Sequence, residues 1–324
     1  MTACTVLDQL VVVNLDIHIW TARKKLVPLD LGNTDLPPED IASLGSKRIC
    51  DPEALRAFGT LKARAVGLLD RNGIRFLGGW AVPETRMDAM TIELNVIRQE
   101  FNEAKDAFLQ SYEECVRNWI AKHPEWARIF DGSTVSREYV RSRLDFRWQM
   151  FRVAAPDTAA GGSLADDLQE DTANLGRTLF DEVAKSAGEA WQRCYLGKTE
   201  VTRKALSPLK SIYDKLMGLS FVEPRVAPIV ELLDTAFRSI PKRGAIKGRV
   251  LLMLQGLVSL LQQPEMLVAH GQMILDGREN AHGILQSLFQ GECAEQAEEE
   301  NWEGADIPPA GTALPPVIES HGLW

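Results

Sequence analysis

One stretch constrains this chain more than any other. From Glu84 to Lys122 there is neither proline nor glycine, and apolar residues fall at Met87, Met90, Leu94, Ile97, Phe101, Ala104 and Phe108. The steps alternate between three and four, and the series continues through Tyr112, Cys115 and Trp119 after one extra step of four. Such spacing predicts a coiled-coil seam with a single stutter. At about 1.5 Å per residue the helix is roughly 58 Å long. A helix of that length does not bury its seam alone. A second seam follows Ser163 and Asp166, which form a capping-box-like start. It runs through Leu164, Leu168, Thr172, Leu175, Leu179, Val183, Ala187, Trp191 and Cys194. Pairing the two within one chain gives a long antiparallel helical hairpin; pairing them between chains gives a homo-oligomer.

Period-two patterns flank the seams. In "VVVNLDIHIW" (Val11–Trp20), Val13, Leu15, Ile17 and Ile19 point one way and Asn14, Asp16 and His18 the other, the signature of a half-buried strand. "KRIC" (Lys47–Cys50) reads as a second strand. Asp51 caps a helix with Pro52 at its first position, running to about Arg71 and stopped by Asn72-Gly73. "IRFLGGWAV" (Ile74–Val82) reads as one strand bulged at Gly78-Gly79. After a short helical turn at Ser136–Arg143, "LDFRWQMFRV" alternates again, with Leu144, Phe146, Trp148 and Met150 on one face. Shorter helices follow Tyr195: Val201–Leu219, Val226–Ser239, Lys247–Gln263 and Pro264–Gln290. The fold class expected is mainly α (α+β): a long helical hairpin, or coiled coil, with a small antiparallel sheet at its base and a helical C-terminal portion. Three regions follow, 1–196, a basic 197–290 and an acidic, Pro-rich tail 291–324 that is too polar to order itself.

The chain offers little recognisable chemistry. The five cysteines lie far apart with no C-x-x-C pair, and the five histidines show no ligand spacing. No catalytic residue, cofactor or metal site is expected. "LADDLQED" gathers Asp166, Asp167, Glu170 and Asp171, but acids in a first helical turn complement the helix dipole. Asp8 precedes any basic residue, so the N-terminus does not read as a signal peptide. The longest apolar run, Val250–Leu261, falls short of the about 20 residues that span a membrane. A cytoplasmic protein is expected.

Charge is more informative. Eight acids and no Lys or Arg lie beyond Gly291, so of the net charge of -9 the tail carries -8 and residues 1–291 carry -1. Between Gly197 and Arg249, eleven Lys and Arg face five acids, leaving +6. Within it, "IPKRGAIKGRV" lacks the spacing, the hydroxyl and the preceding strand of a nucleotide loop. It reads first as a helix start. Second, it reads as a phosphate contact through Lys242, Arg243, Lys247 and Arg249 beside free N–H groups. "RLDFRWQMFR" interleaves arginines with aromatics. It fits an amphipathic strand, and alternatively a single-strand platform centred on Arg147 and Trp148. Trp302 and Trp324, the large aromatic groups of the tail, are candidate partner contacts.

"LDQLVVVNLDIHIWTARKKL", "DLPPEDIASLGSKRICDPEAL", "GIRFLGGWAVPE" and "WIAKHPEWARI" resemble a bacterial domain of unknown function carried by integrative conjugative elements, plasmids and phages. The resemblance covers about Leu7 to Val153 and continues to "IPKRGAIKG". It carries no catalytic motif. It implies a genetic neighbourhood with a MoxR-type AAA+ ATPase and a von Willebrand A-domain protein. The expectation is a non-enzymatic accessory, scaffold or adaptor protein of a mobile element, with either of those proteins as partner. The alternative is a nucleic-acid-binding protein that assists DNA recombination or conjugative transfer.

Overall fold

A computed structural model describes residues 6–31, 42–130, 132–154 and 162–288, the side chains of 162–166 excepted. Its principal elements are β1 (Leu10–His18), β2 (Arg23–Lys25), β3 (Ser46–Arg48), α1 (Arg56–Asn72), β4 (Ile74–Phe76), β5 (Gly79–Pro83), α2 (Met87–Ala121), α3 (Arg137–Ser142), β6 (Asp145–Phe151), α4 (Gly162–Ala173), α5 (Leu175–Ala190), β7 (Glu200–Val201), α6 (Leu206–Gly218), α7 (Val226–Arg238), β8 (Ile246–Lys247), α8 (Arg249–Leu261) and α9 (Pro264–Leu275). The chain is mainly helical with a small antiparallel sheet, as its periodicities predict.

The sheet is the middle of three layers. Its order is β4-β5-β1-β6, every pair antiparallel. In the first half of β1 both faces are buried. Leu10 and Val12 enter one core with Ile74, Phe76 and Ala81; Val11 and Val13 enter the other with Trp80, Val82 and Phe146. The second half alternates as the sequence predicts. Leu15 and Ile17 pack on the second core, while Asn14, Asp16 and His18 stay exposed. A strand covered on both sides needs apolar residues in succession, which explains "LVVV" before the alternation begins.

"IRFLGGWAV" is two strands, which corrects the expected single bulged one. Leu77 and Gly78 make the connection with φ of 47° and 75°. Positive φ at both central residues gives a tight hairpin whose twist matches its strands. Gly79 answers a different need: a Cβ there would meet the Val13 carbonyl oxygen at 2.5 Å.

The long helix forms, but its partner is another one. Met87, Met90, Leu94, Ile97, Phe101, Phe108 and Tyr112 are buried, as the seam predicts. They pack on α1 and on one face of the sheet. Phe58 of α1 meets Phe101 with ring centroids 5.0 Å apart, and Phe101 meets Phe146 of β6 at 5.5 Å. Arg64 and Glu100 tie the two helices on the outside. The second seam also forms where its side chains are described, with Leu175, Leu179, Val183 and Ala187 buried, but these residues lie in the opposite core; the side chains of Ser163, Leu164 and Asp166 lie outside the described residues. The helical hairpin of these two seams is therefore corrected: the sheet separates them. Each seam finds its cover inside the chain, which removes the reason given for pairing between chains. The stretch is also not one helix, since α4 gives way to α5 at Asn174.

The first core, entered by Leu10 and Val12, joins α5 to α6, α7, α8 and α9. Beyond its sheet residues it runs from Leu175 to Leu285, so packing is continuous across the boundary expected at 196/197. Polar contacts bind the two outer layers. The Lys215 ammonium on α6, 6% exposed, donates to the Asp70 carbonyl of α1 at 2.7 Å and to Glu182 Oε2 of α5 at 2.5 Å. The Arg75 N–H donates to the other oxygen of Glu182 at 2.9 Å. Arg86 bridges Asn72 and the Asp214 carbonyl. No single helix among the described residues is long and apolar enough to cross a membrane. The tail beyond 288, with Trp302 and Trp324, lies outside the described residues.

Candidate functional site

The eleven cations of 197–249 fall into two groups. Three are held by carboxylates: Lys215 by Glu182, Arg225 by Glu223 at 2.6 Å, and Arg238 by Asp234 at 2.5 Å. The Arg225 guanidinium, together with its backbone N–H, holds the Glu223 carboxyl below the usual carboxylate range against the opposing effect of burial. Lys210 lies exposed on α6, and the other seven, also exposed, lie in two stretches that the fold brings together.

That junction is built by local backbone geometry. α5 closes with a turn of π-helix at Trp191–Tyr195, and Gly197, with φ of 66°, turns the chain out of it. The next residues form β7, which pairs with β8: Val201 lies opposite Ile246, and Glu200 opposite Lys247. Buried Ile246 anchors β8, leaving Lys247 exposed. Arg203 donates to the Pro241 carbonyl, and Gln255 of α8 donates to the carbonyls of Tyr195 and Lys198. The two stretches, about forty residues apart in sequence, are thereby stitched side by side. Lys198, Arg203 and Lys204 come from the first, and Lys242, Arg243, Lys247 and Arg249 from the second; all seven are exposed. Glu200 is the carboxylate that sits among them.

The loop before α8 is open. Gly244 and Gly248 have φ of 91° and 58°, and nothing lies within 4 Å of where a Cβ would stand at either. Gly248 is the N-cap of α8, no side chain caps the helix, and its first turn carries no acid. Basic residues at an N-terminus oppose the helix dipole. A bound anion at this place reverses that penalty.

The four residues expected here, Lys242, Arg243, Lys247 and Arg249, are thus brought together. Lys198, Arg203 and Lys204 were missed as site residues, because only the pairing of β7 with β8 joins them to the rest. Arg147 and Trp148 are elsewhere, on the edge strand β6, and point to opposite faces of it. Arg147 is paired with Asp145 at 2.7 Å and Asp16 at 3.3 Å. Trp148 packs against the core of the α2 layer and its indole Nε1 is buried. The expected platform of Arg147 and Trp148 is corrected accordingly: the ring serves the core.

Asp167, Glu170 and Asp171 on α4 are exposed, and the Asp166 side chain lies outside the described residues. Among the described residues no three His, Cys, Asp or Glu side chains converge as a metal site would need. A cavity of about 800 Å³ lies where α5, α7 and α9 begin. Its Arg177 and Arg225 are offset by Asp181, Glu223 and Glu265, so it presents no single sign of charge.

A family model described as a protein of unknown function, DUF3150, matches residues 7–263. Neither the curated proteins nor the solved structures compared with the chain give a match.

Proposed function

The chain belongs to the DUF3150 family, whose description names no activity, and from that premise we propose that it is a non-enzymatic accessory protein of a mobile genetic element. It binds nucleic acid through the face built on β7 and β8. One observation carries this reading: two basic stretches distant in sequence, with seven exposed cations between them, are joined side by side by the β7–β8 pairing and the Arg203–Pro241 contact. Lys and Arg presented this way contact phosphates, and binding follows from release of the counterions they displace. The contacts are to backbone, so the binding is expected to be indifferent to sequence.

The mobile-element setting rests on the resemblance of the N-terminal half. The AAA+ ATPase, the von Willebrand A-domain protein, or both, are the proposed machinery served by the bound strand. Trp302 and Trp324 are the proposed protein contacts.

The test is anisotropy of a labelled oligonucleotide, single- and double-stranded, at about 50 mM salt. Two triple variants are compared with the parent: Lys198, Arg203 and Lys204 to Ala, and Lys242, Arg243 and Lys247 to Ala. Each is expected to weaken binding, because both stretches contribute to one face. If the parent protein binds neither oligonucleotide, the face is a protein-docking surface and the adaptor reading stands without nucleic acid.

A further inference from the structure

We propose a second anion site: a groove lined by Arg23, Arg48, Arg143 and Arg147 that binds a phosphate-bearing ligand. It lies at the end of the sheet where β1 leaves and β6 enters, where His18 pairs with Asp145. It is built from the α2 side of the molecule and does not depend on the β7–β8 face.

The starting observation is the ladder of β2 and β3. Arg23 stands directly opposite Arg48, and Lys24 opposite Lys47. Like charges directly opposed in an antiparallel pair destabilise it. For the lysines the structure supplies relief. Lys47 is enclosed, donating to Asp30 at 2.6 Å and to the Ile129 carbonyl at 2.7 Å. Lys24 donates to the Gly132 carbonyl at 3.0 Å. Among the described residues no carboxylate pairs with Arg23 or Arg48, and both are exposed.

The two arginines open onto connected recesses. The smaller, about 220 Å³, takes in Arg23, Arg48, Trp20 and Cys50. The larger, about 450 Å³, takes in Arg23, Arg143, Arg147, His18 and Tyr139. Trp20, Thr21 and Arg23 line both, so the two recesses adjoin, with Arg23 between them. Arg143 lies over the Tyr139 ring, 5.2 Å from its centroid. Asp145 is the acid of the lining, and Asp16 lies beside it. Asp145 is engaged by Arg147, and Asp16 by both Arg147 and His18, the latter at 2.7 Å. The carboxylates therefore orient Arg147, and among the described residues none pairs with the other three guanidiniums.

Guanidiniums arranged around a recess match phosphate in both charge and fork geometry. A bound phosphate group removes the repulsion between Arg23 and Arg48. The recess at Tyr139 is large enough for a phosphate and the sugar attached to it. Either a polyphosphate nucleotide or the backbone of a nucleic-acid strand supplies this chemistry.

The experiment titrates the full-length protein by calorimetry with pyrophosphate, a nucleoside triphosphate and a short single-stranded oligonucleotide. Arg23→Gln with Arg48→Gln, and separately Arg143→Gln, are compared with the parent chain. Loss of a charge-assisted phosphate contact is expected to weaken binding about tenfold or more. The ligand-free Arg48→Gln protein is expected to melt at a higher temperature than the parent, since it removes an opposed like charge. That opposite movement of stability and affinity separates a ligand site from a merely structural arginine. Binding of the triphosphate alone, or of the oligonucleotide alone, that the groove variants weaken supports the site and identifies its source of phosphate. In a chain that carries Lys242, Arg243 and Lys247 to Ala, the groove variants are expected to lose pyrophosphate affinity by the same factor as in the parent background. Failure of all three probes to bind the parent, or unchanged affinity in both groove variants, overturns the proposal.

Discussion

Lys215 is one of eleven cations in a segment that reads as uniformly basic, yet its ammonium is enclosed by Glu182 and the Asp70 carbonyl while others nearby face solvent. Removing one member of such a pair leaves the other charge buried without compensation, which costs about 3–5 kcal/mol. Lys215→Ala is therefore expected to lower unfolding stability by about 3 kcal/mol in urea, and a loss below about 1 kcal/mol would contradict the enclosed geometry. His270 provides a test through pH. Burial holds its imidazole below the ordinary value, while Glu279 pulls in the other direction. Its Nδ1 is buried without a hydrogen-bond partner. The folded chain favours the neutral ring, so the unfolded chain takes up its proton at a higher pH. The resulting stability is complete above about pH 6.5 and declines as pH falls from there. His270→Phe should flatten the decline of melting temperature on the acid side of that value. An unchanged profile would show that His270 is not responsible for it.

At the scale of elements, α2 shows what a sequence pattern conveys and what it leaves open. Its boundaries and its buried face follow from spacing, because the 3-4 series is a property of one helix alone. Its partner does not follow. Two seams of similar length invite pairing, but α1 lies just one hairpin away in the chain and covers the seam first. Phe58 on α1 gave little warning: Phe58, Leu61, Ala65 and Leu68 repeat the 3-4-3 spacing, but over too short a stretch of "RAFGTLKARAVGLLDRN" to stand out as a partner seam. The same limit applied to "IRFLGGWAV", where Leu77 adopts a positive φ that leucine seldom takes. No residue-type rule marks it as a turn. The basic face was half legible: "PKRGAIKGR" was visible as charge before a helix, but its union with Lys198, Arg203 and Lys204 depends on a pairing of two residues per strand. Such a short ladder leaves no periodicity to read. Phe101 tests the corrected packing. It is fully buried between Phe58 and Phe146, so Phe101→Ala is expected to cost about 3–5 kcal/mol. In a double-mutant cycle with Phe58→Ala the two losses should be non-additive. Strict additivity would mean that α1 does not cover the seam.

In the whole molecule, a single sheet serves two helical cores, and "LVVV" of β1 is buried on both sides to do so. The groove of arginines sits on one layer and the β7–β8 face on the other, with the polar contacts around Lys215 holding the layers together. Both surfaces are positive although the chain as a whole is acidic, because eight of its acids lie in the tail beyond residue 291. The proposed nucleic-acid binding is then local and electrostatic, and its salt dependence is the most direct measure of it. The observable is the slope of log binding constant against log salt concentration for a single-stranded oligonucleotide, for the parent chain and for Lys242, Arg243 and Lys247 to Ala. With about 0.7 counterion released per phosphate contact on single strands, the variant slope is expected to be shallower by about 2. Equal slopes for the two proteins would contradict the assignment of this face to nucleic acid.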